Sequence, residues 1–239
     1  MTIARHGLYV PADAGFELIA FNAWDFNTAV AEWAQTNVAF TSDCNYALLI
    51  ATWEANVTLN AAVVRDAGDT TTLATLTSLT SVSGASSQSN CHAYHLFNAS
   101  SLGLSLSDAR VELTFSAANA AGSLALWRFR GATRQPTTGD HNTQGGASLT
   151  SLTGSLTPSA GAEEAGIICA SLCTNDTITS VVCGGGLLEP ELHKNTGAAG
   201  GMTNVFSHNL GPLSGAQSPS FDWTAHGAER ASGLFVLAA

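Results

Sequence analysis

Two stretches of this chain repeat one another, and that repetition restricts the possible folds more than any single motif does. Ala47-Leu-Leu-Ile-Ala-Thr-Trp53 through Ala61-Ala-Val-Val64 aligns without gaps on Ala165-Gly-Ile-Ile-Cys-Ala-Ser171 through Thr179-Ser-Val-Val182, an offset of 118 residues. Glu112–Ala117 and Leu124–Phe129 then fall on Ser220–Ala225 and Ser232–Leu237 at an offset of 108, so the second copy is ten residues shorter in its middle. The two halves are expected to complete one core together.

Within each copy the pattern is that of short strands between turns. Leu48–Trp53 is a nearly continuous apolar run, as in a strand covered on both faces. Val111–Phe115 and Leu124–Phe129 alternate, which predicts strands with one wet face. Cys91–Phe97 reads as a strand with Cys91, Ala93, His95 and Phe97 on one face and His92, Tyr94 and Leu96 on the other. Thr70–Ser89 mixes threonines that suit strands with serines that suit loops. Only Asn27–Gln35, with Val30, Trp33 and Ala34 at helical spacing, predicts a short helix. The expected fold is all-β, an antiparallel β-sandwich or jelly roll built from two pseudo-repeated halves. Residues 1–27 form an N-terminal arm that includes the extended piece Leu8-Tyr9-Val10-Pro11. Residues 28–239 form the sandwich, with halves of about 28–134 and 147–239 and a surface crossover at 135–146, where Pro136 and three glycines oppose regular pairing.

Composition narrows the function. Charged residues are only 11 % against 45 % apolar, so surface polarity comes from Ser, Thr and Asn. The net charge of -10 and the scattered Lys and Arg exclude a phosphate-binding face, and nucleic acid is not an expected partner. No apolar run reaches the ~18–20 residues of a membrane span. Met1–Phe16 lacks a basic region followed by an apolar core, so no secretion signal is expected. The five cysteines, Cys44, Cys91, Cys169, Cys173 and Cys183, are odd in number and are expected to be mostly free thiols.

Candidate chemical sites are each outweighed by a plainer structural reading. Cys91, His92 and His95 have metal-binding chemistry, but the two histidines point to opposite strand faces. His193, His208 and His226, with Glu189 and Glu191, lack a ligand spacing. Asp66, Asp69 and Asp176 could offer oxygens to calcium, yet aspartate is also a common turn former. There is no G-x-S-x-G, and Gly184–Gly186 has no Lys-Ser or Lys-Thr partner. No catalytic residue, cofactor or metal is therefore expected. Trp53, Trp127 and Trp223 lie in repeated strands and are expected in the core or on a sheet face. Trp24 and Trp33, outside the repeat, are the candidate contacts for a subunit or ligand, together with Leu8, Tyr9 and Val10 of the arm.

The segment order resembles the Gly/Ser/Thr/Ala-rich β-sandwich modules of tailed-bacteriophage virion proteins and of some bacterial surface proteins. The resemblance runs from Ala47–Trp53 through Tyr94-His-Leu-Phe-Asn98, Val111–Phe115 and Leu124–Gly131 to Phe221-Asp-Trp223 and Gly233–Leu237. It covers about Thr28 to Ala239; the cysteines and the His-rich Cys91–His95 strand depart from it. It implies a non-enzymatic virion protein assembled in the host cytoplasm, such as a capsid decoration, head spike or other accessory surface protein. Its implied partners are other virion proteins and copies of itself. The alternative is a lectin-like module for a host surface glycan, which predicts exposed aromatics in a groove flanked by polar loops. A glycan hydrolase would need a pair of carboxylates with separated pKa values.

Overall fold

From Tyr46 to Trp53 every residue is buried, so this strand has no face left for water. The expectation of a doubly covered strand holds, and the rest of the fold follows from it. The computed structural model describes residues 15–26, 30–84, 89–98, 106–119, 121–147, 149–157, 165–172, 178–182, 191–195, 202–210, 215–223 and 231–238. Among these, the first half contributes β1 (Glu17–Phe26), β2 (Val30–Phe40), β3 (Tyr46–Glu54), β4 (Leu59–Arg65), β5 (Thr72–Thr75), β6 (Thr77–Ser83), β7 (Asn90–Phe97), β8 (Leu106–Asn119) and β9 (Ala121–Arg130). The second half contributes β10 (His141–Gly146), β11 (Ser151–Thr153), β12 (Ala165–Leu172), β13 (Ile178–Val182), β14 (Glu191–Asn195), β15 (Met202–Leu210), β16 (Ser220–Trp223) and β17 (Ala231–Ala238).

The strands form four antiparallel sheets. The first runs β1-β9-β3-β7-β6 and the second β2-β8-β4-β5; the third runs β10-β17-β12-β15-β14 and the fourth β11-β16-β13. Strand for strand, the third sheet repeats the order of the first, and the fourth repeats β2-β8-β4 of the second. The repeat in sequence is therefore a repeat of topology.

Alternation along the strands of the first sheet divides its side chains between two cores. Leu49, Ala51, Trp53, Tyr94, Leu96, Leu124 and Leu126 face the second sheet and meet Val38, Phe40, Ala62, Val64, Val111, Leu113 and Phe115. Tyr46, Leu48, Ile50, Cys91, Ala93, Ala125, Trp127 and Phe129 point the other way and meet Phe206, Leu234 and Val236 of the third sheet. The far side of the third sheet packs on the fourth, with the Phe235 and Phe221 rings 6.2 Å apart. Each half thus makes its own sandwich, and the two sandwiches stack through the first and third sheets. The halves do complete a core together, between the first and third sheets, and the first half has a further core of its own between its two sheets.

The stack is close to two-fold symmetric. β12 lies on β3, β17 on β7, and β15 on β9, so each contact has its counterpart when the halves are exchanged. That is the arrangement of an isologous dimer, here within one chain. At one rim β10 lies against β6, and a Cβ on Gly145 would overlap the Ser83 carbonyl oxygen, so only glycine permits the approach.

Four local expectations change. Residues 30–35 are strand rather than helix: β2 pairs with β8 through three irregularities, and Asn37 sits at φ 58°. The first irregularity, between Val30 and Glu32, breaks the two-residue alternation, which is why the spacing of Val30, Trp33 and Ala34 imitates a helix. From Glu17 onward the segment assigned to the arm is β1, paired along its length with β9. The crossover behaves as a connector only up to Asp140, whose carboxylate accepts hydrogen bonds from the Thr137 amide and hydroxyl and pairs with Arg134. His141–Gly146 then pairs with β17. Finally, β9 has no wet face, because Ala125, Trp127 and Phe129 are covered by the second half.

Leu49→Ala and Ile50→Ala test the double coverage. These neighbours face different cores, and each truncation is expected to cost about 2–5 kcal/mol in chemical denaturation. A sheet with one wet face would lose that much at only one of the two positions, and about 0.5 kcal/mol or less at the other.

Candidate functional site

Most of the reactive side chains in the described residues are committed to structure. Asp66 accepts hydrogen bonds from the Thr70 hydroxyl and amide and from the Thr71 amide, each at 2.7 Å, closing the β4–β5 turn. Those bonds, the Thr70 hydroxyl foremost, hold its carboxyl below the usual carboxylate range. Asp69, at φ 59°, pairs with Arg65 at 3.5 Å and Arg110 at 3.4 Å. Of the three carboxylates that suggested calcium, Asp66 and Asp69 are therefore engaged by the turn and by arginines, and Asp176 lies outside the described residues. Glu112, only 3 % exposed, lies between Arg65 at 3.2 Å and Arg110 at 3.4 Å on the outer face of the second sheet, and Glu32 extends the network to Arg110 at 3.5 Å. The arginine stems cover a carboxylate on what would otherwise be a wet face.

The thiols and imidazoles follow the same rule. Cys44 and Cys91 are buried and free. Burial pushes the Cys44 thiol up to about 11, the reverse of an activated nucleophile. The Cys91 sulfur lies 3.3 Å from the Ser232 hydroxyl in the contact between halves. His95 and Cys91 share the face turned toward the third sheet, while His92 points the other way, as alternation predicts; the His92 Nε2 lies 2.8 Å from the Ser78 hydroxyl. Burial lowers the pKa of both histidines, that of His92 to about 4. The buried Trp127 donates its indole N–H to Nδ1 of His208 at 3.3 Å. Among the described residues no group of three or more His, Cys, Asp or Glu side chains could hold a metal ion.

Trp24 and Trp33 lie on the same side of the first sandwich, one on each of its two sheets. β1 and β2 are edge strands of their sheets. Both indoles are partly buried against the inner core, and the Trp33 ring lies 5.4 Å from that of Phe26. Trp53 and Trp127 are core residues, as expected. Leu8, Tyr9, Val10, Cys173, Asp176, Cys183, Gly184–Gly186, Glu189 and His226 lie outside the described residues, as do the side chains of Cys169, Glu191, His193 and Trp223.

Two features escaped the sequence reading. Arg128 is buried on the inner face of β9, donating to the Ala39 carbonyl and to Asn22 Oδ1, with its guanidinium 5.9 Å from the centre of the Phe40 ring. Its position in Leu124-Ala-Leu-Trp-Arg-Phe129 places it in line with Leu124 and Leu126, which is the only sequence signal for its burial. The other feature is a cleft of about 220 Å³ on the β6 side, at the mouth between the first and second sheets. Ser81, Ser83, Asn90 and His92 line it from the first sheet, and Asn56 and Thr58 from the β3–β4 turn. Asn90 donates to the Ala55 carbonyl at 2.9 Å and to that of Trp53 at 3.3 Å, and it accepts from the Ser83 hydroxyl at 2.7 Å. The Trp53 indole closes the turn through a 3.0 Å bond to the Val57 carbonyl. These bonds hold Ala55 at φ 155° and make the wall of the cleft rigid.

No protein-family model and no curated protein matches the sequence.

His95, which is buried, and His92, which is partly buried, make stability pH-dependent. Their folded pKa values lie below the unfolded value of 6.5, so the unfolded chain binds more protons and stability falls as pH drops below about 6.5, with the His92 contribution exhausted near 4. Urea midpoints measured from pH 7 to pH 4 are expected to decrease, and His92→Gln is expected to flatten that decrease.

Proposed function

We propose that this chain is a non-enzymatic structural protein of a tailed-phage particle, a decoration, head-spike or other accessory surface component held by contacts between subunits. The observation that carries this reading is the open side of the first sandwich. Two edge strands, β1 and β2, border it, one from each of the two facing sheets, and each carries a partly exposed tryptophan. β1 carries no Lys, Arg or Pro, and its charges Glu17 and Asp25 and its one register irregularity, between Leu18 and Ala20, leave the stretch from Ala20 to Trp24 regular and uncharged, so most of this edge is open to pairing. A second copy or another particle protein can extend such an edge through main-chain hydrogen bonds, with the indoles filling the contact. The engagement of Asp66, Asp69, Glu112, Cys44 and His95 in packing and ion pairs supports a passive rather than a catalytic role.

Two measurements test this. Light scattering behind size exclusion is expected to show self-association that Trp24→Ala with Trp33→Ala weakens by about tenfold or more, the loss of roughly 1.4 kcal/mol at a contact. Mass spectrometry of purified particles is expected to find the chain at stoichiometric levels. A chain absent from particles, or a double variant that assembles like the parent, would overturn the proposal.

A further inference from the structure

The inner face of a sandwich is apolar wherever it is closed, and here it stops being apolar at one place. On β3 and β9 that face carries Leu49, Ala51, Leu124 and Leu126. On the same face β7 turns from Leu96 and Tyr94 to His92 and Asn90, and their partners on β6 are Ser81 and Ser83. The apolar residues of β6, Leu79 and Val82, face the other way and pack toward the third sheet. The lateral mouth between the two sheets is therefore lined by uncharged residues, with hydrogen-bonding groups on β6, β7 and the β3–β4 turn beside Trp53, Val57 and Leu59, whereas Trp24 and Trp33 cover the opposite mouth.

We infer that the cleft between β6, β7 and the β3–β4 turn binds one uncharged sugar ring, held by hydrogen bonds to Asn56, Thr58 and Ser81, with His92 in its wall. Four properties of the cleft select this class. Its volume of about 220 Å³ is below the ~300–1,000 Å³ of sites for drug-sized ligands and suits a single ring. No Lys, Arg, Asp or Glu lines it, and burial keeps His92 neutral down to about pH 4, so nothing there selects an ion. Asn90 and Ser83 satisfy each other and the turn, which fixes the wall before a ligand arrives. Asn56, Ser81 and the Thr58 hydroxyl, on the rim, remain able to donate and accept, as a polyhydroxyl ring requires. Binding rests on hydrogen bonds to rim groups at the surface, without a stacked indole, because Trp53 is only 3 % exposed. Dissociation constants of about 1–10 mM are therefore expected.

The test is a titration of the full-length, ¹⁵N-labelled protein with D-glucose, D-galactose, D-mannose and N-acetyl-D-glucosamine, followed by amide shifts, with D-glucuronate as the charged counterpart. At least one neutral sugar is expected to give saturable shifts confined to residues 56–58, 81–83 and 90–92. Ser81→Phe, which fills the cleft from an exposed edge position, is expected to weaken binding at least tenfold, and Asn56→Ala several-fold. Both lie on the surface, and unchanged amide spectra elsewhere establish that the variants fold. The inference is overturned if no neutral sugar saturates by about 50 mM, if the shifts lie outside the cleft, if Ser81→Phe leaves binding unchanged, or if glucuronate binds as tightly as the neutral sugars. It does not depend on the particle reading; a particle protein without sugar affinity and a sugar binder absent from particles are both distinguishable results.

Discussion

The burial of both faces of one sheet is the constraint on which this structure depends. β3 and β9 carry large apolar side chains on each side, and a buried Leu, Ile or Phe is worth about 1.5–3 kcal/mol relative to exposure. Such a sheet needs a cover on each side, and the cover on the inner side is the second sheet of its own half. The outer cover comes from Phe206, Leu234 and Val236 of the other half, whose third sheet presents the matching face. Small residues then let the sheets approach closely. Cys91 sits against Ser232, and Ser89 and Ser232 share a 3.0 Å contact between buried hydroxyls.

Much of this architecture was legible in the sequence, and the reason is periodicity. Leu48–Trp53 announced a doubly buried strand because no polar residue but Thr52 interrupts it. The offsets of 118 and 108 announced the repeated topology. What the sequence did not announce is how the copies are related in space. A shared core and a back-to-back stack require the same apolar positions, and only the pairing of β17 and β10 shows that the second half closes its own sheets. Residues 30–35 misled for a different reason. Bulges displace side chains by one position and destroy the strand period locally, so three apolar residues fell at helical spacing by accident.

Sites are less legible than strands because their meaning depends on long-range neighbours. Asp66 and Asp69 look the same in sequence, yet one caps a turn and the other bridges two arginines. Arg128 has the composition of a surface residue but lies in line with Leu124 and Leu126, and it is retained inside by a carbonyl, an amide oxygen and an aromatic ring. A buried guanidinium so held orients its neighbours more than it stabilises them, since its desolvation offsets much of what the hydrogen bonds contribute. It ties Asn22 of β1 to Ala39 of β2 and so links the two edge strands of the open side.

The near-symmetry of the stack also separates what the fold requires from what it leaves free. Features shared by both halves, the five-stranded sheet order and the strands opposite it, are what closing two sandwiches demands. β5, with the Asp66 turn that leads into it, belongs to the second sheet and has no counterpart in the fourth sheet as described. The Glu112 ion network lies on the outer face of that sheet, and neither core includes it. The cleft beside β6 and the tryptophan-bearing edge at β1 and β2 occupy the two opposite mouths of this same first sandwich. A polar inner face at one mouth costs the sandwich apolar burial that Leu or Val at positions 81 and 92 would supply. In a chain with 45 % apolar residues and both faces of its central sheet already sealed, that loss is tolerable, and the mouth can be shaped by contact with a ligand instead of by the core.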